Sequence, residues 1–64
     1  MTRADVVGLL HRRVAEAGSQ ADVARAFRVS TAYLGQVLNG ERTPGPAILR
    51  GLGLAREEPR YRRL

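Results

Sequence analysis

GSQADVARAFRVSTAYLGQVLNG, residues 18–40, decides the fold. Two short apolar-periodic segments lie on either side of Arg28-Val29. In the first, Val23 and Phe27 stand four apart with the small Ala24 beside them. In the second, Leu34, Val37 and Leu38 repeat at helical spacing. A serine opens each segment, Ser19 and Ser30, and serine is a preferred helix N-cap. Ser19-Gln20-Ala21-Asp22 has the form of a capping box with a shorter acid than the usual glutamate. Gly18 stops whatever helix precedes, and Asn39-Gly40 supplies the left-handed residue that ends the second segment. The stretch therefore predicts helix 2 over about 19–27 and helix 3 over about 30–38. A tight turn at Arg28-Val29 joins them, with Val29 directed into the core.

The flanks supply what such a pair needs in order to fold. Val6, Leu10 and Val14 recur every four residues, with Val7 and Ala17 beside them, so residues 3–17 predict helix 1. Asp5 falls in its first turn, where the helix dipole favours a carboxylate. Gly8 inside this helix costs roughly 1 kcal/mol relative to alanine, which suggests close packing by a neighbouring helix. His11 is expected on the solvent side. Beyond Gly40, Thr43-Pro44 reads as an N-cap followed by an N1 proline. Ile48, Leu49 and Leu52 form the apolar face of helix 4, Gly51 or Gly53 ends it, and Leu54 closes the core. Pro59 is a breaker in the C-terminal segment. Arg60-Tyr61-Arg62-Arg63-Leu64 alternates weakly and is either a short terminal strand or an arm. The expected fold is all-α, a compact bundle of four to five helices, with residues 1–55 as the domain and 56–64 as a basic tail.

With 64 residues the chain is one domain with a modest core, the size at which a partner subunit commonly adds stability. It has no cysteine, so disulfides and thiolate metal sites are excluded. The formal net charge is +5, and all eleven basic residues are arginine. The charge is unevenly placed. Residues 1–24 balance Arg3, Arg12 and Arg13 against Asp5, Glu16 and Asp22, whereas residues 25–50 set four arginines against Glu41 alone. A basic surface of this kind expects a polyanionic partner, most often nucleic acid. No apolar run approaches the roughly 20 residues of a membrane span. No signal-peptide core is visible, so a cytoplasmic location is expected.

The outer side of helix 3 carries Ser30, Thr31, Ala32, Gly35 and Gln36, with Tyr33 at its margin. An ordinary solvated helix face carries Glu, Lys or Arg, yet no residue from Val29 to Gly40 is charged. Slender side chains of this type suit a DNA major groove about 12 Å wide. There Gln36 can pair with adenine through both polar atoms, and the methyl groups of Thr31 and Ala32 can meet a thymine methyl. The amide groups at the start of helix 2, at Gln20 and Ala21, are placed to bind phosphate. Arg25, Arg28 and Arg42 are placed to neutralise flanking phosphates.

At this point residues 18–54 resemble the lambda-repressor-like, Cro/C1-type (XRE) helix-turn-helix family. The marks are Ser19-Gln20, Val23-Ala24, Val29-Ser30, Tyr33-Leu34 and Val37-Leu38-Asn39-Gly40, together with Arg42, Pro44 and the Ile48–Leu54 segment. The string YLGQVLNGERTPGPAILRGLGL is similar to small phage and prophage regulators. The resemblance implies a transcriptional regulator that binds double-stranded DNA, with a two-fold symmetric operator read by a homodimer. It implies that Ser30, Thr31, Ala32 and Gln36 read bases. Ser19, Gln20, Arg25, Arg28, Tyr33, Asn39 and Arg42 would then contact the phosphate backbone. Two departures stand out: Arg28 occupies a turn position where the family usually has glycine, and Ala32 cannot hydrogen-bond a base.

Other classes fit less well. One histidine, no cysteine and unpaired carboxylates argue against an enzyme. Gly51-Leu52-Gly53-Leu54 lacks the third glycine and preceding strand of a phosphate-binding loop. No cofactor and no metal are expected. The rival readings are an antitoxin or phage accessory protein acting with a protein partner, and a protein-interaction module using the helix 3 face. RNA binding lacks the interleaved aromatics for base stacking.

Overall fold

The computed structural model describes residues 1–57 and 60–64. Its elements run α1 (Arg3–Ala17), α2 (Gln20–Phe27), α3 (Thr31–Leu38), α4 (Pro46–Leu52), β1 (Leu54–Glu57) and β2 (Arg60–Arg63). The expected break at Pro59 lies outside the described residues. Four helices and a short antiparallel hairpin make up the described chain, with no fifth helix among the described residues.

Local signals set most helix boundaries. Thr2 caps α1: its hydroxyl accepts from the Asp5 N–H, and the Asp5 carboxylate accepts from the Thr2 N–H at 3.0 Å. This is a closed capping box, satisfying two of the donors a helix start leaves open. Ser19 and Ser30 accept from the N–H groups of Asp22 and Tyr33 in the same way, at 3.1 and 3.0 Å. Gly18, Gly40 and Gly53 take left-handed backbone angles at or just after helix ends. Arg28 takes them too, with φ 61° and ψ 43°, as the C-cap of α2. The non-glycine residue in the turn thus accepts a left-handed conformation rather than altering the turn.

Two expectations are corrected. The start of α4 lies two residues later than Thr43-Pro44: Gly45 is its N-cap and Pro46 its first residue. The reason is tertiary. Gly45 N–H donates to the Tyr33 hydroxyl at 2.8 Å, and a Cβ at Gly45 would lie 2.7 Å from that oxygen. The helix begins where the chain passes too close to Tyr33 for any side chain. Gly8 shows the opposite. It is exposed, and nothing lies within 4 Å of where its Cβ would be, so no neighbouring helix requires it.

The core has two connected parts. Leu10, Val23, Phe27, Leu34, Val37 and Ile48 form the first with Ala24 and Leu38, and Val29 packs against it from the turn. Val6, Leu49, Leu54 and Tyr61 form the second. Helix α1 serves both, because Val6 and Leu10 are one turn apart on its buried stripe. Within α4, Gly51 lies flush on the Phe27 ring, where a Cβ would come within 2.8 Å.

The hairpin pairs Leu54 with Arg63, Arg56 with Tyr61 and Glu57 with Arg60. Residues 56–64, set apart by sequence as a basic tail, contain all of β2 and the end of β1. Tyr61, 5% exposed, is part of the second core. Met1 joins β2 on its outer side: its N-terminal ammonium donates to Tyr61 O, and Tyr61 N–H donates to Met1 O, both at 2.8 Å. No helix among the described residues is long and apolar enough to cross a membrane.

Candidate nucleic-acid interface

The turn sets the geometry of the candidate surface. Arg28 is left-handed and Ser30 extended, so the chain breaks helical geometry between α2 and α3 while Val29 packs against the core. Leu34, Val37 and Leu38 are buried, which turns the opposite side of α3 outward. Ser30, Thr31 and Ala32 are exposed there, and Gly35 and Gln36 are half-buried. Thr31 and Gly35, and likewise Ala32 and Gln36, are one turn apart, so all four share a face.

Gln20 lies against this face. It is the first residue of α2, and its Oε1 is 3.6 Å from the position a Cβ on Gly35 would take. A Cβ at Gly35 would make only ordinary van der Waals contact with the Gln20 amide, so the two residues adjoin without the glycine being required. The N-terminus of α2 and the uncharged face of α3 thereby form one continuous surface. Ser19 is occupied as the cap of α2, and the amide groups of Gln20 and Ala21 have no partner within the helix.

The remaining predicted positions divide by what already holds them. Arg25 pairs with Asp22 at 3.3 Å, an exposed contact worth little in solution. Arg28 and Arg42 are exposed, and among the described residues neither has a carboxylate partner. Tyr33 is turned into the domain, where its hydroxyl accepts from Gly45 N–H and faces Thr43 O at 3.5 Å. The Asn39 side-chain amide donates to Glu41 at 3.3 Å. The surface formed by Gln20, Ser30, Thr31, Ala32 and Gln36 is thus a compact group, whereas Tyr33 and Asn39 are engaged by the loop between α3 and α4.

Two residues outside the predicted set also bear on α3. Arg3 Nη2 donates to Gly40 O at 2.8 Å, and His11 Nε2 lies 2.9 Å from Leu38 O. A carbonyl only accepts, so Nε2 carries the proton in that contact. Helix α3 has no basic residue in its last turn; from α1, His11 reaches its last carbonyl and Arg3 the carbonyl of Gly40 just beyond the C-cap. His11 is exposed as expected, but its ring is not idle. That missing base was the one sequence signal for these contacts.

Among the described residues no group of three His, Cys, Asp or Glu side chains is placed to hold a metal ion. No protein-family model, curated protein or solved structure matches the chain.

Proposed function

We propose that this chain is a DNA-binding domain of the helix-turn-helix class, with α3 as its recognition helix. Within that class we infer a sequence-specific transcriptional regulator of the Cro/C1 type found in phages and prophages. It works as a homodimer on a two-fold symmetric operator, in the cytoplasm of a bacterial or phage-infected cell. One observation carries the reading: Gln20, at the N-terminus of α2, lies over Gly35 on the charge-free exposed face of α3.

In this arrangement Gln36 reads adenine through its two amide atoms, and Thr31 and Ala32 meet thymine methyl groups. Ser30 keeps its hydroxyl proton for a base edge or phosphate, because its oxygen already accepts from Tyr33 N–H. The free amide groups of Gln20 and Ala21 hold a phosphate at the positive end of the α2 dipole. Arg28 and Arg42 neutralise phosphates on either side of α3. With few polar base contacts available, DNA shape contributes to specificity. The domain binds and does not catalyse.

The groove of about 440 Å³ lined by Pro44, Pro46, Leu49 and Leu54, with Arg50 and Arg56 also in its lining, is the surface we assign to the second subunit. Leu64, 77% exposed, stands at its edge.

Selection of bound duplexes from a random DNA pool tests the proposal. A two-fold symmetric motif with half-sites about one helical turn apart supports the dimeric reader. An asymmetric motif replaces the homodimer with a monomer or a heteromeric complex. No enrichment removes the operator-reading function and leaves the partner-dependent antitoxin or accessory reading.

A further inference from the structure

A second recess lies at the far end of α2. Gln20 and Phe27 occupy the two ends of this helix, about 10 Å apart at 1.5 Å per residue. Around Phe27, the residues Ala26, Arg28, Ala47, Arg50 and Gly51 enclose a groove of about 480 Å³. Ala26, Ala47, Gly51 and Phe27 give it an apolar floor. Gly51 keeps it shallow, since α4 passes the ring too closely for a side chain.

The rim is basic and comes from two elements: Arg28 ends α2 and Arg50 lies on α4. The Arg13 guanidinium, on α1, stands over the Phe27 ring at 5.8 Å from its centroid but does not line the groove. No acidic side chain lines the groove among the described residues. Among them, too, neither Arg28 nor Arg50 has an ion-pair partner. Two guanidinium groups at one recess with no carboxylate in its described lining focus positive potential into it.

We propose that this groove docks an acidic segment of a partner protein. Its carboxylates would pair with Arg28 and Arg50, and a small apolar side chain would rest on Ala26, Ala47 and Gly51. Guanidinium groups match carboxylates through two parallel hydrogen bonds. An apolar floor beside two guanidinium groups suits a peptide that sets carboxylates next to an apolar side chain. The groove shares Arg28 with the proposed phosphate contacts, so a held partner would displace that one contact while leaving the Gln20 end of α2 open.

The test is selection from a random peptide library displayed against the full chain, then fluorescence anisotropy on the enriched sequence. The expected consensus is an apolar residue flanked by Asp or Glu. Arg50→Glu should weaken its binding at least about tenfold, equivalent to 1.4 kcal/mol, with Arg50→Gln intermediate. Binding should also fall as salt rises. Far-UV circular dichroism of each variant should match the parent. Absence of enrichment, a consensus without acids, or binding indifferent to Arg50→Glu overturns the proposal. So does an equal loss of affinity for a random DNA duplex, which would make the groove part of a nucleic-acid contact. A failed operator selection with a positive peptide result would remove the DNA reading alone.

Discussion

Replacing Arg28 with glycine should stabilise the domain. Arg28 is the one described non-glycine residue at positive φ, and its angles of 61° and 43° lie close to the ideal left-handed helix. An L-residue there crowds its Cβ against the following carbonyl, at about 1–2 kcal/mol. Glycine avoids this crowding but loses more freedom on folding, by roughly 0.5–1 kcal/mol. The side chain is exposed, so little packing is lost with it. The net expectation for Arg28→Gly is a gain centred on about 0.75 kcal/mol, within a span of about 0–1.5, or roughly 3–6 °C in Tm at the centre for a domain of this size. Urea unfolding monitored by far-UV circular dichroism would read it as a higher midpoint at unchanged slope. Arg28→Ala is the control, since alanine keeps the strain and removes the charge. A glycine variant no more stable than the parent would refute the strain argument. An alanine variant that gains as much would locate the effect in the charge. On DNA, Arg28→Gly should flatten the log-log salt dependence by about 0.9 per subunit, one phosphate contact fewer.

Four further outcomes are expected. Gly8→Ala should add roughly 1 kcal/mol in a denaturant titration, because the position is helical, exposed and open around its absent Cβ. Tyr33→Phe should lose about 1 kcal/mol and speed hydrogen exchange at the Gly45 amide, whose acceptor it removes. An unchanged Gly45 exchange rate would mean the bond is not made in solution. Gln36→Ala should weaken operator binding by roughly 1–3 kcal/mol while sparing random DNA, and Arg42→Ala should weaken both alike. Asp5 gives a pH signature. The Thr2 backbone N–H, then the Thr2 hydroxyl and the N-terminal ammonium, hold its carboxyl below the usual value. Its contribution is therefore present above the ordinary carboxylate range and lost as pH falls through the folded-state value. Asp5→Asn should remove that part of the acid sensitivity, seen as a flatter plot of urea midpoint against pH.

Local chemistry made much of the fold legible in the sequence. Ser19, Ser30, Gly18 and Gly40 mark helix boundaries through contacts a few residues long, and the apolar stripes of α1, α2 and α3 come from spacing alone. The features that escaped depend on contacts across the chain. The choice between Thr43-Pro44 and Gly45-Pro46 was made by Tyr33, a residue on another helix. Tyr61 lies in a weakly alternating stretch, and only its pairing opposite Arg56 fixes which face turns inward. The contacts of Arg3 with Gly40 and of His11 with Leu38 span 37 and 27 residues, beyond the reach of any periodicity. At the candidate interface, the absence of charge on α3 was visible in the letters. That Gln20 lies over Gly35, and that Tyr33 turns inward, was not.

The bond pair between Met1 and Tyr61 joins residues 60 apart and sets an order of closure. The buried residues around Leu10 and Phe27 come from residues up to Ile48, whereas Val6, Leu49 and Leu54 stay uncovered until Tyr61 seats. Until then the folding chain carries a sticky apolar strip, the condition in which incompletely folded polypeptides associate wrongly. Loosening the strand that carries Tyr61 would return the molecule to that same unsealed state.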